Sequence, residues 1–174
     1  MQNPLKQTVY SALFVALISV GAFISIPVGP VPIVLQNMFV LLAGLILGPV
    51  WGTGCVGVYL LMGIAGLPVF AGGTSGIGKI FGPTGGYLIG YIPAVFITAA
   101  ISKGLKKSLV GDILALTTGS LLVYGVGVPW LKIVLSMSWD KALAAGMFPF
   151  LIGDVLKIIA GAFLAKKLRP LIRH

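Results

Sequence analysis

Six apolar runs, bounded by glycine, proline or basic residues, leave this chain little choice but to fold in a lipid bilayer. A helix crossing about 30 Å of hydrocarbon needs about 20 residues. The runs fall at about 8–26, 32–48, 50–67, 84–102, 109–128 and 148–165. The first stops at Pro27, and Pro27, Pro30 and Pro32 then form a stiff uncharged turn too rich in proline to continue a helix. Gly48-Pro49 separates the second run from the third, and Pro93 is expected to kink the fourth. The fifth weakens around 125–129. The segment 130–141, with two tryptophans, Asp140 and two lysines, reads as interfacial, with Ser138 as a helix N-cap. Composition agrees: 9% of residues are charged and mean hydropathy is +1.11, against about 25% charged in a soluble domain. The predicted fold is all-α and integral to the membrane, a six-transmembrane-helix bundle forming a single domain over 1–174.

The net charge of +9 would suggest nucleic acid in a soluble protein, but here the basic residues flank apolar runs and act as orientation signals. An even number of spans puts both termini on one side. Lys6, the cluster at Lys103, Lys106 and Lys107, and the C-terminal group Lys166, Lys167, Arg169 and Arg173 share that side, against Lys79, Lys132 and Lys141 on the other. The positive-inside rule predicts both termini in the cytoplasm and the loop 68–83 outside. The run after Lys6 resembles a signal peptide, but no clear cleavage site follows it and it is read as mature structure. Cys55, the single cysteine, lies in an apolar run and reads as a small buried residue.

The stretch 72–87, GGTSGIGKIFGPTGGY, is unlike any span and holds seven of the 25 glycines. Irregular backbone at membrane depth survives only where it is buried in protein or lines a cavity, so this stretch is expected to form part of a binding site. Residues 73–79 fit the first seven positions of a nucleotide-binding P-loop, but Ile80 stands where a hydroxyl should hold magnesium, and no soluble strand precedes it. The dinucleotide-like pattern at 52–57 lies inside a span. With His174 as the single histidine, neither a metal cluster nor a Ser-His-Asp set can be assembled.

Asp154 and Lys157, spaced i,i+3 in the sixth run, share a helix face and can pair. A charge at a helix centre costs roughly 2.5–3.5 kcal/mol on the insertion scale. Lys157 sits about 13 Å deep by helical rise from Phe148, beyond the reach of its own stem to the outer surface. Two readings stand: a structural ion pair, or a donor and an acceptor at the floor of an outward-open pocket. Gln36 has similar alternatives, bonding across helices or lining that pocket. Asp112, close to Lys107, is expected to be a solvated interfacial charge. Small residues four apart, at Gly44/Gly48/Gly52, Gly82/Gly86/Gly90 and Ala12/Ala16, suit close helix packing or an external face for a membrane partner.

Three segments in this order, PVPIVLQN at 30–37, GPTGGY at 82–87 and GDVLK at 153–157, resemble the BioY family. That family supplies the biotin-binding S component of energy-coupling-factor (ECF) transporters. The resemblance covers nearly the whole chain. It implies an ECF S-component bundle that binds biotin near its outer face and is not an enzyme. No cofactor or nucleic acid is expected. The implied partners are a transmembrane T component and two cytoplasmic ATPases, which alone use ATP, with the chain placed in the plasma membrane. It also makes Ala12 and Ala16 a docking surface for the T component. Biotin's ureido ring has one carbonyl acceptor and two N–H donors, complementary to Lys157 and Asp154. Gly73 and Thr74 fall in the loop beside it, and Thr74 is placed to add a ureido contact. Val69, Phe70, Phe81 and Tyr87 are expected to enclose the ring system and valeryl chain. Some family members carry a basic residue after the tyrosine of GPTGGY. Here that position is Leu88, and Lys79 is the candidate for the biotin carboxylate. The alternatives are an S component for another vitamin and a membrane enzyme using Asp154.

Overall fold

A computed structural model describes residues 4–172. Arg173 of the C-terminal basic group and His174 lie outside the described residues. Helix α1 (Pro4–Phe23) leads into a two-residue ladder in which β1 (Ser25–Ile26) pairs antiparallel with β2 (Ile33–Val34). Helices α2 (Gln36–Leu47), α3 (Pro49–Ile64), α4 (Gly78–Phe81), α5 (Gly85–Gly104), α6 (Leu109–Val134), α7 (Trp139–Gly146) and α8 (Phe148–Ile172) follow.

Six helices fall on the six runs, but not all have spanning length. Pro4–Phe23, Gly85–Gly104, Leu109–Val134 and the stretch Trp139–Ile172, which holds α7 and α8, are long and apolar enough to cross a membrane. Helices α2 and α3, at 12 and 16 residues, are shorter. The second run was expected to be helical from Pro32. The ladder takes up Ile33 and Val34 instead, and Leu35 donates its N–H to Gly21 O and Ile24 O. At the other end Gly48 adopts φ 84°, a conformation that costs glycine little, and Pro49 starts α3 at its first turn.

The fifth run behaves differently from its sequence signal. Helix α6 continues through 125–129 to Val134, with Pro129 inside it. Tertiary packing overrides the weak propensity here. Gly127 lies against the Tyr87 ring, and Gly86 and Gly90 of α5 lie against Trp130, Val126 and Val123 of α6. A Cβ on Gly52 would come within 3.0 Å of Gly44 Cα, so this pair sets the approach of α2 to α3. Gly48 is the turn between those helices and Gly82 precedes α5, so the two glycine rows are only partly packing rows. Ser138 does precede α7, but its side chain makes no capping hydrogen bond.

The outer surface is apolar. Leu13, Leu17 and Val20 are exposed along α1, as are Ile152, Leu156 and Phe163 along α8. Helix α2 is the inverse, with Val40, Leu41, Leu42, Ala43 and Leu45 at most 2% exposed. An all-round apolar helix belongs in the interior of such a bundle.

Asp112 corrects the sequence reading. It is fully buried rather than solvated. Arg169 from α8 grips it through two nitrogens at 2.6 and 2.7 Å, and Ser102 from α5 donates to it at 2.6 Å. Arg169 also donates to Lys107 O, Leu45 O and Ser102 Oγ, so one guanidinium joins α2, α5, α6 and α8 at one end of the bundle. A carboxylate held this way escapes the cost of unpaired burial. The signal for it, Arg169, sits 57 residues away in a basic cluster that by sequence reads as an orientation charge.

Candidate functional site

At the opposite end of α8 the helices leave a cavity that opens at its mouth to the outside of the bundle. Its floor is built from side chains on three helices. Asp154 of α8 is 4% exposed and accepts three hydrogen bonds. Lys157 Nζ and Asn37 Nδ2 each donate to Oδ1 at 3.1 Å, and the Tyr124 hydroxyl donates to Oδ2. The predicted i,i+3 pair is thus formed, and Asn37 of α2 and Tyr124 of α6 hold its carboxylate from two further directions. Phe150, one turn before Asp154, packs at a tilt on the Tyr124 ring. A second, much smaller cavity shares Asn37, Ser120, Asp154 and Lys157 with the first and is also lined by Met38, Leu116 and Ile158.

The walls come from the loops that the proline and glycine signals marked. Pro30, Val31 and Pro32 of the turn closed by the ladder line one side. Phe70 and Thr74 line another and are joined across a short loop, Phe70 N–H donating to Thr74 O at 2.9 Å. Phe70 is 1% exposed because its ring fills the space over Gly63 and meets Tyr59 edge-on. Gln36 is also fixed from below. It is 2% exposed, donates to the Tyr59 hydroxyl at 2.9 Å, and Tyr59 in turn donates to Val69 O. Gln36 therefore does both things proposed for it, bonding across helices and lining the cavity.

Stretch 72–87 is tethered at several points rather than loose throughout. Gly76 N–H donates to Gly63 O at 2.7 Å, and Gly72 N–H to Ala22 O at 3.3 Å. The Trp130 indole donates to Gly82 O at 3.0 Å. Between those ties α4 carries Lys79 at the cavity mouth. Tyr87 lines the wall, and its hydroxyl donates to Gly146 O at the end of α7.

The structure thus brings Asp154, Lys157, Gln36, Phe70, Thr74, Tyr87 and Lys79 to one cavity. It does not bring Phe81 or Gly73 there: Phe81 is 65% exposed on α4, and Gly73 packs beside Phe23. Val69 contributes its carbonyl to Tyr59 rather than a wall. Ala12 and Ala16 lie on the exposed face of α1. Sequence reasoning missed Asn37, Tyr91, Ser120 and Tyr124. Tyr124 carried a usable signal: aromatic hydroxyls in membrane proteins gather at the interfaces, and one deep in an apolar run calls for a buried partner.

Fold and cavity together define a helical membrane protein with a partly polar cavity between its helices, a setting that suits a small molecule. The BioY family model matches residues 1–174, and the chain belongs to the BioY family. The probable biotin transporter BioY of Pyrococcus horikoshii is 42% identical over 164 residues, which cover 94% of this chain and 96% of the relative. The biotin transporter BioY of Thermotoga maritima is 38% identical over 167 residues, with 96% and 98% covered. A crystal structure of the S-component for biotin from an ECF-type ABC transporter superposes with a TM-score of 0.91 at 35% identity, covering 98% of this chain and 95% of that one.

Proposed function

We propose that this chain is the S component of an ECF-type biotin uptake transporter, a binding and delivery subunit rather than an enzyme. The observation that carries the reading is the floor of the cavity. A buried carboxylate and an ammonium lie side by side, already oriented by Asn37 and Tyr124, in a fold matched by a biotin S-component. Preorganised donors and acceptors of this kind select a ligand with both a carbonyl and N–H groups, and reject analogues that leave them unpaired. Biotin's ureido ring has those groups. The apolar part of the ligand lies against Phe70 and Tyr87, Thr74 stands beside it, and its carboxylate reaches the mouth near Lys79.

In this reading the chain crosses the plasma membrane six times, with both termini cytoplasmic and 68–83 outside. The brevity of α2 is compatible with a crossing. Helix α2 faces protein rather than lipid over most of its length, and buried backbone at membrane depth need not match the bilayer thickness. The partners are a transmembrane T component, met through the exposed Ala12 and Ala16 face, and two cytoplasmic ATPases that supply the energy. Calorimetry on the purified protein tests the core of the proposal. Submicromolar biotin binding, with none for thiamin or riboflavin, is expected, and absence of biotin binding overturns it.

A further inference from the structure

The three protein donors on Asp154 leave little of it for a ligand. Asn37 Nδ2 and Lys157 Nζ share Oδ1, and the Tyr124 hydroxyl takes a place on Oδ2. A carboxylate offers about four lone-pair sites, so one remains. The edge of a cyclic urea presents an N–H, a carbonyl and a second N–H in a row. The last site on Asp154 answers one N–H, and the remaining protons of Lys157 answer the carbonyl. The second N–H requires another acceptor.

Asn37 provides one. A carboxylate can only accept, so the amide must turn its nitrogen toward Asp154 and its oxygen away. That oxygen is buried and has no hydrogen-bond partner, on a side chain that lines the cavity. Buried carbonyl oxygens are rarely left unpaired, and an orphan at a site calls for an explanation. We infer that Asn37 Oδ1 accepts the second ureido N–H, which makes Asn37 a specificity-determining residue beside Asp154 and Lys157. The inference rests on the biotin reading above. It assigns the floor an acceptor–donor–acceptor pattern in which both N–H groups are read, each by a different residue.

The test is a cycle between protein variants and ligands. Calorimetry is run with biotin and with its two analogues methylated on one or the other ureido nitrogen, on wild type, Asn37→Leu and Asn37→Thr. In wild type both analogues bind at least about tenfold more weakly than biotin, since each leaves one acceptor unpaired. Asn37→Leu keeps the side-chain size and removes the acceptor. Its penalty for one methylated nitrogen falls by about tenfold, the value of a buried hydrogen bond, while the penalty for the other stays. Asn37→Thr retains an oxygen acceptor and keeps both penalties. If Asn37→Leu does not fold, the same cycle in Asn37→Ala gives the same readout. Weaker biotin binding with both penalties unchanged would mean that Asn37 acts only by holding Asp154, and that result overturns the inference. Failure of wild type to bind biotin overturns the proposed function itself, which keeps the two failures distinguishable.

Discussion

At the scale of single residues, the floor of the cavity is an electrostatic assembly whose members depend on one another. Lys157 and Asp154 are each largely shielded, with side-chain exposures of 12% and 6%. Removing one partner of a buried pair leaves an uncompensated charge and costs about 3–5 kcal/mol. Lys157→Ala is therefore expected to weaken biotin binding by at least a hundredfold in calorimetry, and wild-type affinity would rule out the site. Lys79 belongs to a different regime. It is exposed at the mouth, and a solvated ion pair is worth only about 0.2–1 kcal/mol. Lys79→Gln should weaken biotin by no more than about fivefold and leave the amide of biotin unaffected, with the difference fading above about 0.5 M salt as screening shortens the field. Equal losses for biotin and its amide would show that Lys79 does not meet the carboxylate. The sequence made both lysines visible but not their unequal weight, because weight follows burial, and burial depends on which helices close over a residue.

At the scale of elements, α8 links two polar clusters that a bundle cannot easily do without. Asp154 and Lys157 lie in its first half and Arg169 near its end, where one guanidinium reaches four other segments of backbone or side chain. Arg169→Met should lower the thermal midpoint in detergent, a loss of about 3–5 kcal/mol from stranding Asp112. Asp112→Leu combined with Arg169→Met should recover much of it, since an apolar pair avoids the desolvation of both charges. A double variant no more stable than the single one would show that the cluster acts through the other contacts of Arg169. The same element shows what was legible beforehand. Apolar runs coincide with six of the helices, four of the matching segments being long enough to span, and the i,i+3 spacing gave Asp154 with Lys157. Asp112 with Arg169, and Asp154 with Asn37 and Tyr124, are long-range pairings between helices, and no periodicity within one run encodes them. The bounds of α2 and α6 were missed for a related reason. The ladder at Ile33 and Val34 and the packing of Gly127 under Tyr87 are tertiary facts that displace local propensity.

At the scale of the whole molecule, the proposed function asks one bundle to present a cavity at one end while keeping a separate face free for a partner. Helix α1 is suited to the second task because its two faces differ. Phe14, Val15 and Ile18 are buried against the bundle, whereas Ala12 and Ala16 lie on the exposed side. In a bilayer, apolar side chains gain little by leaving lipid for protein, so helix association depends on close backbone approach, and small residues allow it. Replacing Ala12 and Ala16 with tryptophan should then separate the two functions. Neither residue lines the cavity, so biotin affinity in calorimetry should stay within about twofold of wild type. Co-purification with the T component should be lost, because two indoles hold the helix axes apart by more than the short range of dispersion contacts can bridge. Tryptophan at Leu13 and Leu17, exposed on the same helix but already large, serves as the control and should leave the assembly intact. Full co-purification of the Ala12→Trp, Ala16→Trp protein would place the partner surface elsewhere, and a parallel loss of biotin binding would mean that α1 and the cavity are not mechanically separate.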